Sequence, residues 1–584
     1  MPRFLLTAIT VALLAACASE PVVEPDEAAP EIAAAPPPPP PPERAFPDDS
    51  FYELLVAEFA LRRRDYDRAL DHYVEQTPRL RDPGVSAHTT RLGQYLQRED
   101  ETLEAAQLWV DLEPDNVEAH HTLARLLVRS GRNAEALPHL ATMERAGTPA
   151  NFPFALSNFN TLDARSRADL VAGINALATE FPDNTSLLLT RAIMHEQLGQ
   201  DDRALAVLGR IFELEPQNTQ GLLLEAQILA MRGADDPYAR VDQALEQNPG
   251  DQLLRLRYAR LLTATDLAAA RTQFEILSAQ SPRDGDLLFS LALINRELGD
   301  PLTARAYLIQ LLELGQRIDQ ANYYLGRIEE DRGNAQAALR HYRAVGDGEE
   351  FLAACSRIGE IEMDRGELDA AGEWFAEQRA RYPHHAERLY GLEAELLERA
   401  GEAERARALV DGALRESPDS ASLLYTRAMM FERDDQLDAM EADLRRILAN
   451  DPENATALNA LGYTLANRTT RYDEALDLVS RALALEPLEP AILDSMGWVL
   501  FRLGRYEEAL DYLSRAYAEF PDPEVAAHLG EVMWVSGDTQ GAIDIWRAAA
   551  LEDPDHPVLR ETLQRLQVES QVTAPPTDAS RQGP

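Results

Sequence analysis

Residues 490–522, PAILDSMGWVLFRLGRYEEALDYLSRAYAEFPD, and residues 523–556, PEVAAHLGEVMWVSGDTQGAIDIWRAAALEDPDH, place the same small and bulky side chains at the same offsets. Pro490 is matched by Pro523, Gly497 by Gly530, Gly504 by Gly537, Ala509 by Ala542, Ala516 by Ala549 and Pro521 by Pro554. Within each unit apolar residues recur at i, i+3, i+4 and i+7 along two runs parted by a glycine-containing turn, which reads as two antiparallel amphipathic helices. Gly497 and Ala516 fall where those helices must cross closely. An interaxial spacing of about 8–10 Å leaves no room there for a long side chain. Gly504 is free to take the left-handed conformation that ends a first helix, and Pro521 cannot continue a second.

This pattern resembles the tetratricopeptide repeat, which implies an all-α fold, a right-handed superhelix of stacked hairpins. At about 34 residues each, roughly 15 hairpins fit between residues 50 and 556, some of them eroded. Residues 50–83 carry Ala57, Tyr66, Ala69 and Tyr73 at the repeat offsets, whereas 84–116 keep only the closing Glu113-Pro114. Residues 117–150 recover the pattern with Ala124, Gly131 and Ala136; 151–184 are irregular around Pro153 and close on Phe181-Pro182. The pattern returns in 185–218, weakens at the turns of 219–250 and 251–284, and is regular again from 285 to 420. In 421–454 Met440 and Ile447 replace the usual alanines, and 455–489 run one residue long through Asn467 to Arg471. No linker of domain-boundary composition interrupts the run, so residues 50–556 read as one continuous array. Residues 557–569 read as a capping helix, and the polar segment 570–584, with Pro575 and Pro576, as a disordered tail.

Before the array lies an address. Arg3 and the apolar run Phe4–Leu14 are too short to span a bilayer, and residues 1–16 read as a secretory signal. Leu14-Ala15-Ala16-Cys17 resembles the bacterial lipobox. By that resemblance Cys17 becomes the lipidated first residue of the mature chain. Ala18 and Ser19 lack the aspartate of inner-membrane retention, so the implied destination is the periplasmic face of the outer membrane. Residues 17–49, rich in Ala, Pro and acid and including Pro36–Pro42, cannot bury apolar surface and read as a stiff, extended tether.

Composition narrows the partners. The net charge is −43 and every basic side chain is arginine, since the 584 residues include no lysine. So large an excess of carboxylates argues against nucleic acid and against docking on anionic lipid headgroups, leaving the N-terminal lipid as the membrane contact. Apolar residues at 45% suffice for an array that grows by stacking. The two cysteines, Cys17 and Cys355, stand in unlike contexts and do not suggest a disulfide.

Catalytic and metal signatures are weak. His195-Glu196-Gln197-Leu198-Gly199 begins like a zinc-protease motif but has the turn glycine where the second histidine belongs. His120-His121 and His384-His385 are adjacent pairs, and neighbours on a helix diverge, so they read as ordinary surface or turn histidines. Cys355 reads as a buried, inert thiol. No cofactor or metal is expected, and the chain reads as a non-enzyme. The candidate binding residues lie on first helices, which in tetratricopeptide units face the concave surface. By that resemblance Asn459, Tyr463, Asp494, Trp498, Phe501, Arg502, Glu531 and Trp534 line a protein-binding groove. The competing reading has Trp498 and Trp534 sealing the packing between repeats.

Asp494-Ser495-Met496-Gly497-Trp498, then Ala527-His528-Leu529-Gly530-Glu531 and Trp534, together with the lipobox and the full-length array, resemble a group of proteobacterial outer-membrane tetratricopeptide lipoproteins. One of these is the adaptor of a periplasmic carboxyl-terminal processing protease. The resemblance implies periplasmic protein partners: the protease, and peptidoglycan hydrolases as its clients. The alternatives are an assembly scaffold for an envelope secretion, pilus or exopolysaccharide export machine, and a hydrolase with an unrecognised site.

Overall fold

In the computed structural model, residue 47 and residues 49–573 are described. The signal segment, Cys17 and most of the tether lie outside them, as does the tail from residue 574. The described residues hold 31 α-helices, three short 3₁₀ turns and no strand. Outside residues 151–184 helices follow one another in pairs at the repeat spacing, as the sequence requires. The chain divides into two compact units, one ending at Ile228 and the next beginning at Leu229, inside the helix Thr219–Met231.

In the first unit the two weakest sequence repeats are the informative ones. Residues 84–116 form a full hairpin, Pro83–Leu96 with Glu99–Leu112. Its pattern is faint because part of its interface is hydroxylic. Ser86, Thr89 and Thr90 are buried. Thr89 Oγ1 donates to Val85 O and Thr90 Oγ1 to Ser86 O, both at 2.8 Å, so their hydroxyls are satisfied one turn back on the helix. In 151–184 the first helix is replaced by two 3₁₀ turns, Phe152–Leu156 and Phe159–Thr161, ahead of the helix Ala164–Glu180. Buried Phe152 and Phe159 supply the apolar anchors, and Asn133 Nδ2 donates to Ala155 O (2.9 Å) and Ser157 O (2.8 Å), satisfying carbonyls that a helix would have paired internally.

The second unit contains the organising hairpins. Helix Pro490–Arg502 packs on Tyr506–Glu519, and Pro523–Ser536 on Thr539–Glu552. A Cβ at Gly497 would meet Leu513 Cγ at 2.5 Å, and one at Gly530 would meet the Trp546 indole Nε1 at 2.2 Å. Gly504 has φ +78°, as a helix-ending turn requires. Where a turn glycine is missing, Asp435 takes the same left-handed backbone at φ +59°. Met440 and Ile447 are buried in the alanine positions. The long repeat absorbs its extra residue by extending the helix Ala455–Arg468.

Carboxylate–arginine pairs step from one first helix to the next. Arg399 pairs with Glu360 (3.2 Å), Arg433 with Glu398, and Arg468 with Glu432 (3.1 Å). At the C-terminal end the capping helix runs Pro557–Leu566. The segment expected to be disordered from residue 570 begins instead inside a further short helix, Glu569–Thr573. Val568 and Val572 are buried there, and Arg547 donates to Val572 O (3.3 Å) and Gln571 O (3.1 Å). Two apolar side chains four residues apart make this one turn a worthwhile lid on the last hairpin.

Candidate functional site: the first-helix face of the last three hairpins

Helices Ala455–Arg468, Pro490–Arg502 and Pro523–Ser536 bring the predicted groove residues together, but they close Asp494, Trp498 and Glu531 in. Asp494 and Trp498 are each 6% exposed, Glu531 4% and His528 2%. Both Asp494 carboxylate oxygens accept from His528 Nδ1, at 3.0 and 2.9 Å. Trp498 stacks on the His528 imidazole, centroids 4.2 Å apart and planes at 26°. From two repeats earlier, Tyr463 Oη donates to Glu524 Oε1 at 3.1 Å and lies 3.4 Å from His528 Nε2. Asp494, His528, Tyr463 and Glu524 therefore form one polar chain across three helices, walled by an indole.

The electrostatics follow from that enclosure. Burial alone would lower the His528 pKa, yet Asp494 and then Glu524 and Glu531 hold it above the ordinary imidazole value. Burial, with Glu524 and Asp494 adding to it, pushes the Tyr463 phenol far up, so it stays a donor. Glu531 is clamped by Arg565 of the capping helix, through Nη1 at 2.7 Å and Nη2 at 2.6 Å, a bidentate pair. The network holds protons in place behind a closed wall and is suited to fixing the register of three repeats.

The other predicted residues sit at its margin. Asn459 is half-buried, and its Oδ1 has no hydrogen-bond partner. Phe501 packs on Trp498 at 5.2 Å and on Tyr506 at 5.7 Å. Arg502 donates to Asn467 O (3.3 Å) and Tyr472 Oη (2.8 Å), with its guanidinium over the Tyr472 ring. Trp534 is half-buried against Trp546, centroids 6.0 Å apart. Trp498 thus occupies the inter-repeat packing role that competed with the groove reading, while Asn459, Tyr463, Phe501, Arg502 and Trp534 keep partial access to solvent. His528 was the residue sequence reasoning missed. It aligns with Ser495, one position off the column that holds Asp494 and Ala527, so the repeat register does not pair it with Asp494.

The histidine readings need revision in two places. His120 is buried rather than superficial. Its Nδ1 lies 2.9 Å from His139 Nδ1 and its Nε2 2.8 Å from Pro114 O, and burial followed by His120 itself lowers the His139 pKa to about 4. His384 and His385 do not diverge, because Pro383 places them on a 3₁₀ turn rather than within an α-helix, and both reach Asp347. His195 lies 3.0 Å from Gln200 Oε1, and Gly199 is its helix's turn residue. Cys355 is buried, its thiol pushed by burial up to about 12, as suits an inert side chain.

Paired helices stacked at a 34-residue spacing, joined through small-residue crossings, define an α-solenoid. The chain belongs to the tetratricopeptide-repeat proteins. The tetratricopeptide-repeat family model matches residues 260–307, 295–349, 425–490 and 495–557. The chain is 38% identical over 528 residues to the TPR repeat-containing protein PA4667 of Pseudomonas aeruginosa, covering 89% of each. It is 28% identical over 356 residues to the cellulose synthase 2 operon protein C of Komagataeibacter xylinus, covering 60% of this chain and 24% of that one. Among solved structures, yeast Tom70 aligns with 90% of this chain and 96% of its own at 16% identity, with a TM-score of 0.31. Such repeats serve as scaffolds for protein–protein contact.

Proposed function

We propose that this chain is a non-enzymatic, lipid-anchored scaffold on the periplasmic face of the outer membrane, which presents peptidoglycan hydrolases to a carboxyl-terminal processing protease. The observation that carries the reading is the run Leu14–Cys17, which resembles a lipobox, placed ahead of a repeat array that occupies nearly all the remaining chain. A scaffold held at a surface by lipid raises the effective concentration of two partners without new chemistry. Acyl chains contribute about 0.8 kcal/mol per buried methylene, and more than one chain makes the anchor stable. The run Asp494–Trp498 and the residues around His528 support the adaptor reading by resemblance.

The test is affinity capture of the mature, lipidated chain from its native envelope under mild detergent. Recovery of a processing protease together with a cell-wall hydrolase is the expected result, and recovery of neither overturns the proposal. A second reading, a scaffold for exopolysaccharide export, is favoured by the similarity to the cellulose synthase operon protein. In that case the captured partners are synthase or export-channel subunits.

A further inference from the structure

Two segments far from the Asp494–His528 network meet in a cluster that the scaffold reading does not use. The first is the loop between the helices Ala335–Tyr342 and Phe351–Asp364, which carries Gly346-Asp347-Gly348. Asp319 anchors it by accepting from Gly346 N at 2.6 Å, and a Cβ at either glycine would lie 3.1 Å from an Asp319 oxygen. The second is the turn Pro383–His385, between the helices Leu368–Arg381 and Ala386–Arg399. His384 Nε2 lies 3.0 Å from Asp347 Oδ2, and His385 Nε2 lies 2.7 Å from Oδ1. One donor atom from each of the three residues lies within 4.8 Å of the other two.

The cluster is oriented. The His385 ring stacks on buried Phe351, centroids 5.1 Å apart and planes at 29°, which fixes its rotamer. His384 lies edge-on to Tyr382 at 6.3 Å and 4.3 Å from the His385 ring. His384 keeps 60% of its side chain exposed, so the open side of the cluster faces solvent.

We propose that Asp347, His384 and His385 bind one divalent transition-metal ion of the zinc class, pinning the Gly346–Gly348 loop to the Pro383–His385 turn. Two imidazole nitrogens and one carboxylate oxygen are the donor set that suits such ions, whereas magnesium and calcium demand oxygen ligands. Zinc–ligand bonds of about 2.0–2.2 Å set neighbouring donors slightly over 3 Å apart. The observed N–O separations are within a small side-chain rotation of that. Where a proton on each imidazole Nε2 now bridges to the carboxylate, the ion takes the place of both: in a neutral ring that proton moves to Nδ1, and a charged ring gives one proton to solvent. Three protein donors leave at least one position for water.

Titration calorimetry of the mature chain, purified without a histidine tag, tests the site with zinc chloride as the probe and magnesium chloride as the comparison. One zinc ion per chain at this site and no response to magnesium are expected. Asp347→Ala and the double variant His384→Ala/His385→Ala should each weaken that binding at least about tenfold. His139→Ala, which disturbs the other histidine pair, should leave it intact. All three variants must keep the wild-type circular dichroism; if Asp347→Ala or the double variant does not, Asp347→Asn or His384→Gln replaces it. No zinc binding by the wild type at millimolar concentration, or unchanged binding in the double variant, overturns the proposal and leaves a hydrogen-bonded turn.

Discussion

Gly530 is a glycine because Trp546 needs its space. The indole is fully buried, donates from Nε1 to Ala527 O at 3.3 Å, and would sit 2.2 Å from an added Cβ. A rigid ring cannot swing aside as a leucine can. Gly530→Ala is therefore expected to destabilise the chain by about 1–3 kcal/mol through overpacking, read as a lower urea midpoint with an unchanged slope. An unaltered midpoint would contradict the steric account. His528 gives a second residue-scale prediction. Its folded pKa is raised above the unfolded imidazole value of about 6.5. The stability it contributes is then complete below about pH 6.5 and is lost as pH rises through the folded value. Melting temperatures across the range from pH 6 to 9 should fall more steeply for the wild type than for Asp494→Asn/His528→Gln, and parallel curves would count against a protonated pair. The small-residue crossings were legible in the sequence because they recur at a fixed spacing. The Asp494–His528 contact was not, since helix position gives the direction of a side chain but not what stands opposite it.

Single elements show where periodicity stops being informative. The hairpin Pro83–Leu112 hid behind Thr89 and Thr90, because a hydroxyl that bonds to its own helix packs like an apolar group yet reads as polar. Residues 151–184 announced their irregularity through Pro153, but the aromatic anchoring of Phe152 and Phe159 has no period to detect. The turn Glu569–Thr573 was too short to be seen as a helix at all. Its worth is measurable. Truncation after Leu566 removes Val568 and Val572 and uncovers the cluster that contains Trp546 and Leu563. Burying an aliphatic side chain of this size contributes about 1.5–3 kcal/mol. The truncated chain should show earlier thermal loss of its C-terminal hairpin and a red-shifted tryptophan emission, whereas wild-type behaviour would make the turn an ornament.

For the whole molecule, the fold class was legible because repetition lets strong units identify weak ones, and the division at Ile228–Leu229 was not, because no change of composition marks it. The charge of −43 is partly organised, through pairs such as Arg399–Glu360 and Arg468–Glu432 that run from one repeat to the next. Exposed pairs of this kind contribute about 0–1 kcal/mol each and weaken with salt. The contact of Tyr463 with Glu524 and His528 is of another kind, since it skips a repeat. Solenoids ordinarily come apart by nearest-neighbour arithmetic, one rung fraying after another from the free end. A phenol that bolts a rung to the next but one breaks that arithmetic, so the last three hairpins should open as a single block, their amides exchanging with deuterium together.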